Sequence, residues 1–240
     1  MLAPTFTVYP AIDVLAGRVV RLAQGDRAQV TVEGGDPVEA ARRFEADGAA
    51  WLHLVDLDGA FGGSPTLGLV RKIVAATALP VQVGGGYRSV AEIEAALADG
   101  AGRVMIGTAA LEPAFLDEAV RRFGERMVVA IDARGGKVAV EGWTAESELS
   151  ATELAARCRE AGVGRLLVTS TSRDGSLAGP DLALLAAVLE ASQLPVLAAG
   201  GIASLDDLRS VRELGCEGAV AGSALWRGRF TMTQAASLER

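Results

Sequence analysis

Two aspartates occupy equivalent places in two copies of one pattern. Asp13 and Asp132 each end an apolar run with the residues Ala-Ile-Asp. Two carboxyl groups can divide acid and base work when their surroundings keep one protonated and the other ionised. The chain has a single histidine, so proton transfer would fall to carboxylates. A turn or a helix cap is the usual role of an aspartate after a strand, but the repetition favours a shared catalytic role.

Glycine clusters follow apolar runs in both halves of the chain and are suited to phosphate groups. Backbone N–H groups at a strand end, followed by a helix start, bind anions, and a Thr or Ser hydroxyl adds a donor. Two related clusters predict a ligand with a phosphate at each end. Arg88 follows the first cluster and is either a phosphate ligand or a solvated helix residue. The predicted phosphate-binding residues are Gly85, Gly86, Gly107 and Thr108, and Gly200, Gly201, Gly222 and Ser223.

Other polar and aromatic residues are candidates for the same site. Asp56 and Thr169 end the second predicted strand of each half and are expected to hydrogen-bond a sugar hydroxyl or to orient an acid. Asp174 and Gly175 lie in the loop after Thr169, where an Asp-Gly pair is often only a turn. The indole of Trp143 is expected either to stack on a flat heterocycle or to pin a loop by packing.

An internal repeat relates these candidates to one another. Residues 79–111 and 194–226 align without a gap, 115 positions apart, and share Leu-Pro-Val, a Gly-Gly pair and Gly-(Thr/Ser)-Ala. Each copy supplies one pair of glycine-rich strand ends, and each half of the chain supplies one of the two aspartates. The sequence therefore predicts a fold built from two duplicated halves.

Eight short apolar runs alternate with amphipathic segments along the chain. The predicted strands are 7–13, 51–56, 80–83, 103–106, 127–132, 165–169, 196–199 and 218–221, and the clearest helices are 37–47, 89–99, 151–161 and 204–214. Eight units of about 30 residues fit an α/β fold, a single (β/α)8 TIM barrel over residues 1–240. A doubly wound open sheet is the alternative, but two equal halves favour closure because each covers the other's edges.

Barrel geometry would bring the two aspartates together. The first and fifth strands lie opposite each other, so Asp13 and Asp132 are expected to face each other across the mouth of the barrel. The longest connections, 14–36 and 133–150, follow these two strands and are predicted to be lids, with ordinary surface loops as the alternative. Strand alternation is interpreted as directing His53 outward to the helices, in a structural role.

Composition excludes several other functions. Asp and Glu outnumber Lys and Arg, 30 to 23, for a net charge of −7, and no basic stripe suggests nucleic acid binding. No apolar run reaches the roughly 20 residues of a membrane span, and the first residues lack the pattern of a signal peptide. Cys158 and Cys216 are isolated, without a metal-binding spacing, and are expected to be reduced. A cytoplasmic location is therefore expected.

The motifs taken together resemble the phosphoribosylformimino-aminoimidazole carboxamide ribotide (ProFAR) isomerases of histidine biosynthesis. The resemblance runs along the whole chain, through segments 10–14, 17–22, 52–58, 84–88, 106–109, 142–144, 172–175 and 199–201. It implies an Amadori rearrangement of an aminoaldose to an aminoketose, with Asp13 as the base and Asp132 as the acid. It also implies a bisphosphate substrate and no metal or organic cofactor. A monomer is expected.

Two other functions remain as alternatives. Ser170 stands where these isomerases commonly have an acidic residue, which resembles the cyclase subunit of imidazole glycerol phosphate synthase, although Ala11 replaces the Cys usual in that cyclase. A non-catalytic barrel that binds phosphorylated ligands would tolerate amides at both aspartates.

Glu141 stands where relatives that also isomerise phosphoribosyl anthranilate tend to have Arg, so a single substrate is expected.

Overall fold

A computed structural model describes residues 6–23, 25–140 and 142–238. The strands are β1 (Thr7–Leu15), β2 (Arg18–Ala23), β3 (Asp26–Gly35), β4 (Leu52–Asp56), β5 (Val81–Gly84), β6 (Arg103–Ile106), β7 (Met127–Arg134), β8 (Lys137–Val140), β9 (Ala145–Ser150), β10 (Leu166–Ser170), β11 (Val196–Ala199) and β12 (Gly218–Ala221). The α-helices are α1 (Pro37–Ala46), α2 (Leu57–Ala60), α3 (Leu69–Val74), α4 (Val90–Ala98), α5 (Pro113–Phe123), α6 (Ala151–Glu160), α7 (Leu182–Ser192), α8 (Leu205–Glu213), α9 (Ser223–Trp226) and α10 (Met232–Ala236). Short 3₁₀ helices span Thr108–Leu111 and Gly124–Arg126.

Eight parallel strands close into a barrel. Strands β1, β4, β5, β6 and β7 pair in that order, and β10, β11 and β12 continue from β7 back to β1. Helices connect these strands on the outside, so the predicted (β/α)8 barrel is confirmed. Each of the eight predicted strands corresponds to a barrel strand, because short apolar runs bounded by turn residues mark strands that are buried on both faces.

The repeat is visible in how the helices begin. Ser89 and Ser204, 115 positions apart, each form a capping box at the start of α4 and α8, with Glu92 and Asp207 as the respective acidic partners. In each box the serine oxygen accepts a backbone N–H, and the acidic side chain accepts the N–H of the cap residue. The same local chemistry thus starts the same helix in both halves.

Side chains of the inner layer fill the amino-terminal end of the barrel. The guanidinium of Arg103 lies 4.1 Å from the Trp51 ring centroid, and its Nη1 donates to Tyr9 Oη at 3.1 Å. Arg165 and Glu217 form a partly buried ion pair near the starts of the barrel strands. Because these side chains occupy this end, ligand space lies toward the carboxyl ends of the strands.

The two segments predicted as lids contain additional strands. After β1, the chain turns back as β2, which pairs antiparallel with β1 and then with β3. After β7, strands β8 and β9 form the equivalent antiparallel extension. The hairpins hold these long segments as ordered extensions of the barrel strands. No helix among the described residues is long and apolar enough to cross a membrane.

Candidate active site

A cavity of about 870 Å³ lies at the carboxyl ends of the barrel strands and is lined by both halves of the chain. Fifteen of the sixteen residues predicted for the site line it. They are Asp13, Gly85, Gly86, Arg88, Gly107, Thr108, Asp132, Trp143, Thr169, Asp174, Gly175, Gly200, Gly201, Gly222 and Ser223. The exception is Asp56.

Strand β4 has the opposite phase to the one predicted. Val55 pairs with Asp13 and His53 pairs with Ala11, and both β4 residues line the cavity. The prediction that His53 points to the helices is therefore wrong. Asp56 is instead buried outside the cavity, where its carboxylate accepts hydrogen bonds from the Gly59 N–H and from the N–H and hydroxyl of Thr66. It holds the turn after β4 and does not face a ligand.

Asp13 is paired with a buried cation. Arg21 Nη1 lies 2.5 Å from Asp13 Oδ2, and Arg21 Nη2 lies 3.9 Å from Asp174 Oδ1. Burial raises the pKa of Asp13 to about 6, even though the Arg21 charge acts to lower it. The sequence prediction missed Arg21 as a site residue. Arg21 lies on β2, which the sequence prediction did not include. Only the pairing of β2 with β1 brings Arg21 close to Asp13.

Asp132 has neutral hydrogen-bond partners. Burial raises the pKa of its carboxyl group, hydrogen bonds from Trp143 and Thr169 lower it, and the nearby Asp174 charge raises it. The net effect is a raised pKa, which helps a general acid to remain protonated. The two aspartates thus share one cavity but differ in surroundings, because Asp13 has a guanidinium partner and Asp132 has an indole and a hydroxyl.

Asp174 joins the two aspartates as a third acid. Burial raises the pKa of Asp174, and the Arg21 charge lowers it. Its backbone N–H donates to Ser170 O at 3.1 Å, which closes a turn after β10. The sequence left a turn and a role in the site as alternatives for Asp174. The structure has both, because the turn directs the carboxylate into the cavity.

The glycine clusters bring two connections into close backbone contact. Gly85, Gly86, Gly200 and Gly201 all have positive φ angles, between 81° and 118°. A Cβ at Gly201 would overlap the Gly179 carbonyl, and Cβ atoms at Gly85 and Gly86 would overlap neighbouring carbonyls in the same way. Glycine is thus required by the fold at these positions. The same packing leaves bare backbone facing the cavity at both ends.

Two side chains differ between the clusters. Ser223 begins α9 after Gly222, and its Oγ is buried without a hydrogen-bond partner in the described structure. An unpaired buried hydroxyl at the rim of a cavity is suited to an anionic ligand. In the first cluster, Arg88 donates to the carbonyls of Gly63 at 2.8 Å and Gly59 at 3.2 Å. Arg88 therefore holds a loop in place while also lining the cavity.

The two segments predicted as lids meet at Trp143. Its φ angle is 73°, an uncommon conformation for a residue other than glycine. A Cβ at Gly25, in the β2–β3 turn, would lie only 2.5 Å from Cε3 of the Trp143 indole. Trp143 therefore packs against the β2–β3 turn in the other of these segments and also hydrogen-bonds Asp132. The expectation based on Glu141 concerns a residue outside the described structure.

These features define a class of protein: a (β/α)8-barrel with a duplicated half, whose paired aspartates lie between two glycine-rich strand-end clusters. In the described part of the chain, no three His, Cys, Asp or Glu residues are grouped as metal ligands. Residues 7–231 match the family model described as "Histidine biosynthesis protein". The chain belongs to this family.

Curated relatives resemble the chain along nearly its whole length. Three of them share the name 1-(5-phosphoribosyl)-5-((5-phosphoribosylamino)methylideneamino)imidazole-4-carboxamide isomerase. The protein from Methylobacterium nodulans is 46% identical over 95% of this chain and 92% of its own length. Those from Chloroflexus aurantiacus and Moorella thermoacetica are both 47% identical over 95% of this chain, and the match covers 95% and 96% of their lengths.

Proposed function

We propose that this chain is the isomerase that converts the aminoaldose ProFAR to the aminoketose PRFAR by an Amadori rearrangement. The observation that carries the proposal is one cavity with two partly buried aspartates in unlike surroundings, set between two glycine-rich ends. Family membership and the names of the curated relatives support the same reaction.

The reaction needs an acid and a base, and the two aspartates are suited to different parts. Asp132, protonated, donates its proton to the ribose ring oxygen, and the C–O bond breaks to leave an open-chain Schiff base. Asp13, ionised beside Arg21, then removes the proton from the adjacent carbon to give an enolamine. Tautomerisation of the enolamine to the ketone completes an isomerisation in which no atom is gained or lost.

Substrate binding is assigned to the clusters at the two ends of the cavity. One phosphate is bound by the backbone around Gly85, Gly86 and Thr108, and the other by the backbone around Gly201 and the Ser223 hydroxyl. Helix starts and bare N–H groups stabilise such anions. Trp143, which lines the cavity, is expected to cover the centre of the ligand. No metal or organic cofactor is assigned, because two carboxyl groups can carry out every proton transfer.

The domain organisation, location and partners of the chain are also proposed. Residues 1–240 act as one catalytic domain, a cytoplasmic monomer that acts on a small-molecule bisphosphate without nucleic acid or a membrane. The net charge of −7 supports a lack of nucleic acid binding. Glu141 supports a single substrate.

The cyclase alternative is less well supported. Ser170, the residue that suggested it, does not line the cavity, and its Oγ lies 3.3 Å from Asp181 Oδ2. A change at this position therefore alters packing behind β10 and leaves the groups at the reaction centre unchanged.

Turnover of purified protein with ProFAR, followed by chromatography of the product, tests the proposal. Wild type is expected to form PRFAR, and Asp13→Asn and Asp132→Asn are expected to lose at least about 100-fold in kcat while still binding the substrate. Asp117→Asn, on the exposed face of α5, is the control. Tight ProFAR binding without conversion, together with turnover of PRFAR and ammonia, would replace the proposal by the cyclase. Near-normal turnover of either variant would remove that aspartate from the mechanism.

A further inference from the structure

We propose that Gln82 is a positioning residue that holds His53 as the neutral tautomer protonated on Nε2. In this tautomer His53 presents an N–H donor to the floor of the cavity. The assignment of the tautomer depends on geometry alone, and its consequence for catalysis rests on the proposed isomerase function.

The two side chains form a buried pair on adjacent barrel strands. His53 on β4 is in register with Gln82 on β5. Gln82 Nε2 lies 2.8 Å from His53 Nδ1, and the two residues are 0% and 5% exposed, respectively. His53 lines the cavity, and Gln82, beside it on the next strand, does not. Because Nδ1 is hydrogen-bonded to Gln82, Nε2 is the ring nitrogen that is available to a ligand in the cavity.

The hydrogen bond determines which ring nitrogen carries the proton. An amide nitrogen can only donate, so His53 Nδ1 accepts, and the proton of the neutral ring is then on Nε2. Gln82 Oε1 is buried and has no partner in the described structure. If the side-chain amide were rotated by 180°, Gln82 Nε2 and its two protons would occupy the buried position that has no partner. Buried unpaired N–H groups are rarer than unpaired carbonyl oxygens, so the present orientation is favoured.

The charge state of the ring agrees with this role. Burial lowers the pKa of His53 to about 3, and the nearby Arg21 charge lowers it further. The ring is therefore neutral wherever the barrel is folded at ordinary pH. A neutral imidazole donates through one nitrogen only, so the tautomer decides whether the cavity receives a donor or an acceptor.

The donor lies at a useful depth. His53 pairs with Ala11, two residues before Asp13 and on the same face of β1, so the ring forms the layer beneath that carboxylate. A fixed N–H at this depth can donate to the substrate oxygen between the two aspartates that becomes the ketone oxygen. The other tautomer would present only an acceptor there, which cannot hydrogen-bond a ketone oxygen.

The single histidine makes the tautomer directly measurable. Protein with ¹⁵N-labelled histidine and no histidine tag gives one ring spectrum, in which two-bond ¹⁵N–¹H correlations identify the protonated nitrogen. We expect Nε2–H in the wild type. A wild-type ring with its proton on Nδ1, or a doubly protonated ring at pH 7, would overturn the proposal without any substitution being made.

Variants test the part played by Gln82. Gln82→Glu supplies an acceptor and is expected to move the proton to Nδ1, whereas Gln82→Leu removes the donor and should give a mixture of tautomers. Both should lower kcat about tenfold or more, the usual range for partners that orient a functional group, with KM little changed. Ser192→Ala, which removes a buried hydroxyl from the outer helix layer, is the control and should change neither property.

The outcomes separate the two proposals. A wild-type Nε2–H ring in a protein that does not convert ProFAR would support the tautomer and contradict the proposed function. A changed tautomer with unchanged kcat would overturn the positioning role. A Gln82 variant that keeps the wild-type ring spectrum would overturn the assignment to Gln82 itself.

Discussion

The Trp143 indole lies against Gly25, and this contact joins the hairpin segment after the fifth barrel strand to the one after the first. The two residues are far apart in sequence, and each lies on a hairpin that extends one of the strands bearing a paired aspartate. Through its hydrogen bond to Asp132, Trp143 also connects this contact to the proposed acid. The position of the β2–β3 turn is therefore coupled, through Trp143, to the hydrogen bonding of the Asp132 carboxyl group.

Gly25→Ala is expected to displace the indole and weaken substrate binding, with KM rising about tenfold, as would follow from loss of a covering aromatic contact. Tryptophan fluorescence should change at the same time. Gly17→Ala is the matched control, because Gly17 has a similar φ of 75° but no atom within 4 Å of an added Cβ. Equal effects of the two substitutions would mean that backbone strain, and not the lid contact, is responsible.

Arg21→Gln is expected to shift the pH profile. Activity requires ionised Asp13, so in the wild type kcat/KM should fall as the pH drops through about 6, the raised pKa of Asp13. Removing the guanidinium takes away the charge that lowers this pKa, so the acid limb should move to higher pH. Arg21→Lys keeps a positive charge and should leave the limb near its wild-type position. An unshifted limb in Arg21→Gln would contradict the pairing.

Asp132→Asn is expected to raise the free energy of unfolding at pH 7, on the order of 1 kcal/mol, while abolishing turnover. The folded-state pKa of Asp132 is raised, so the folded protein loses stability as the pH rises from the ordinary value of 3.8 through that raised pKa. An uncharged amide avoids this loss. Urea unfolding at pH 7 and pH 3 measures the effect, and the advantage of the variant should shrink at pH 3. A variant less stable at pH 7 would contradict the assigned cost of burial.

Ser223→Ala is expected to raise KM several-fold with little loss of stability, because its Oγ has no partner within the described structure. Ser192→Ala offers the opposite case. The Ser192 hydroxyl donates to the Val188 carbonyl at 2.7 Å, so its removal should lower stability and leave KM unchanged. Steady-state kinetics and thermal unfolding of both variants provide the comparison. An unchanged KM in Ser223→Ala would remove this hydroxyl from the phosphate site.

The two misplaced residues in the sequence prediction share one cause, the phase of a strand that is buried on both faces. In β4, Leu52 and Leu54 pack against the helices, whereas His53 and Val55 face the cavity, so both faces are largely apolar. Such strands lack the polar and apolar alternation that reveals direction. Asp56 was placed in the site and His53 outside it for this reason.

The sequence by itself determined the barrel, the duplicated halves and the glycine clusters. Short apolar runs, capping residues such as Ser89 and Ser204, and glycine at strand ends act over a few neighbouring residues, so their meaning is local. Tertiary structure alone decided which groups meet. Arg21 reaches Asp13 only because β2 folds back on β1, and Gln82 reaches His53 only because β4 and β5 pair in one register. Contacts of this kind depend on strand pairing and phase, which no local pattern in a doubly buried strand specifies.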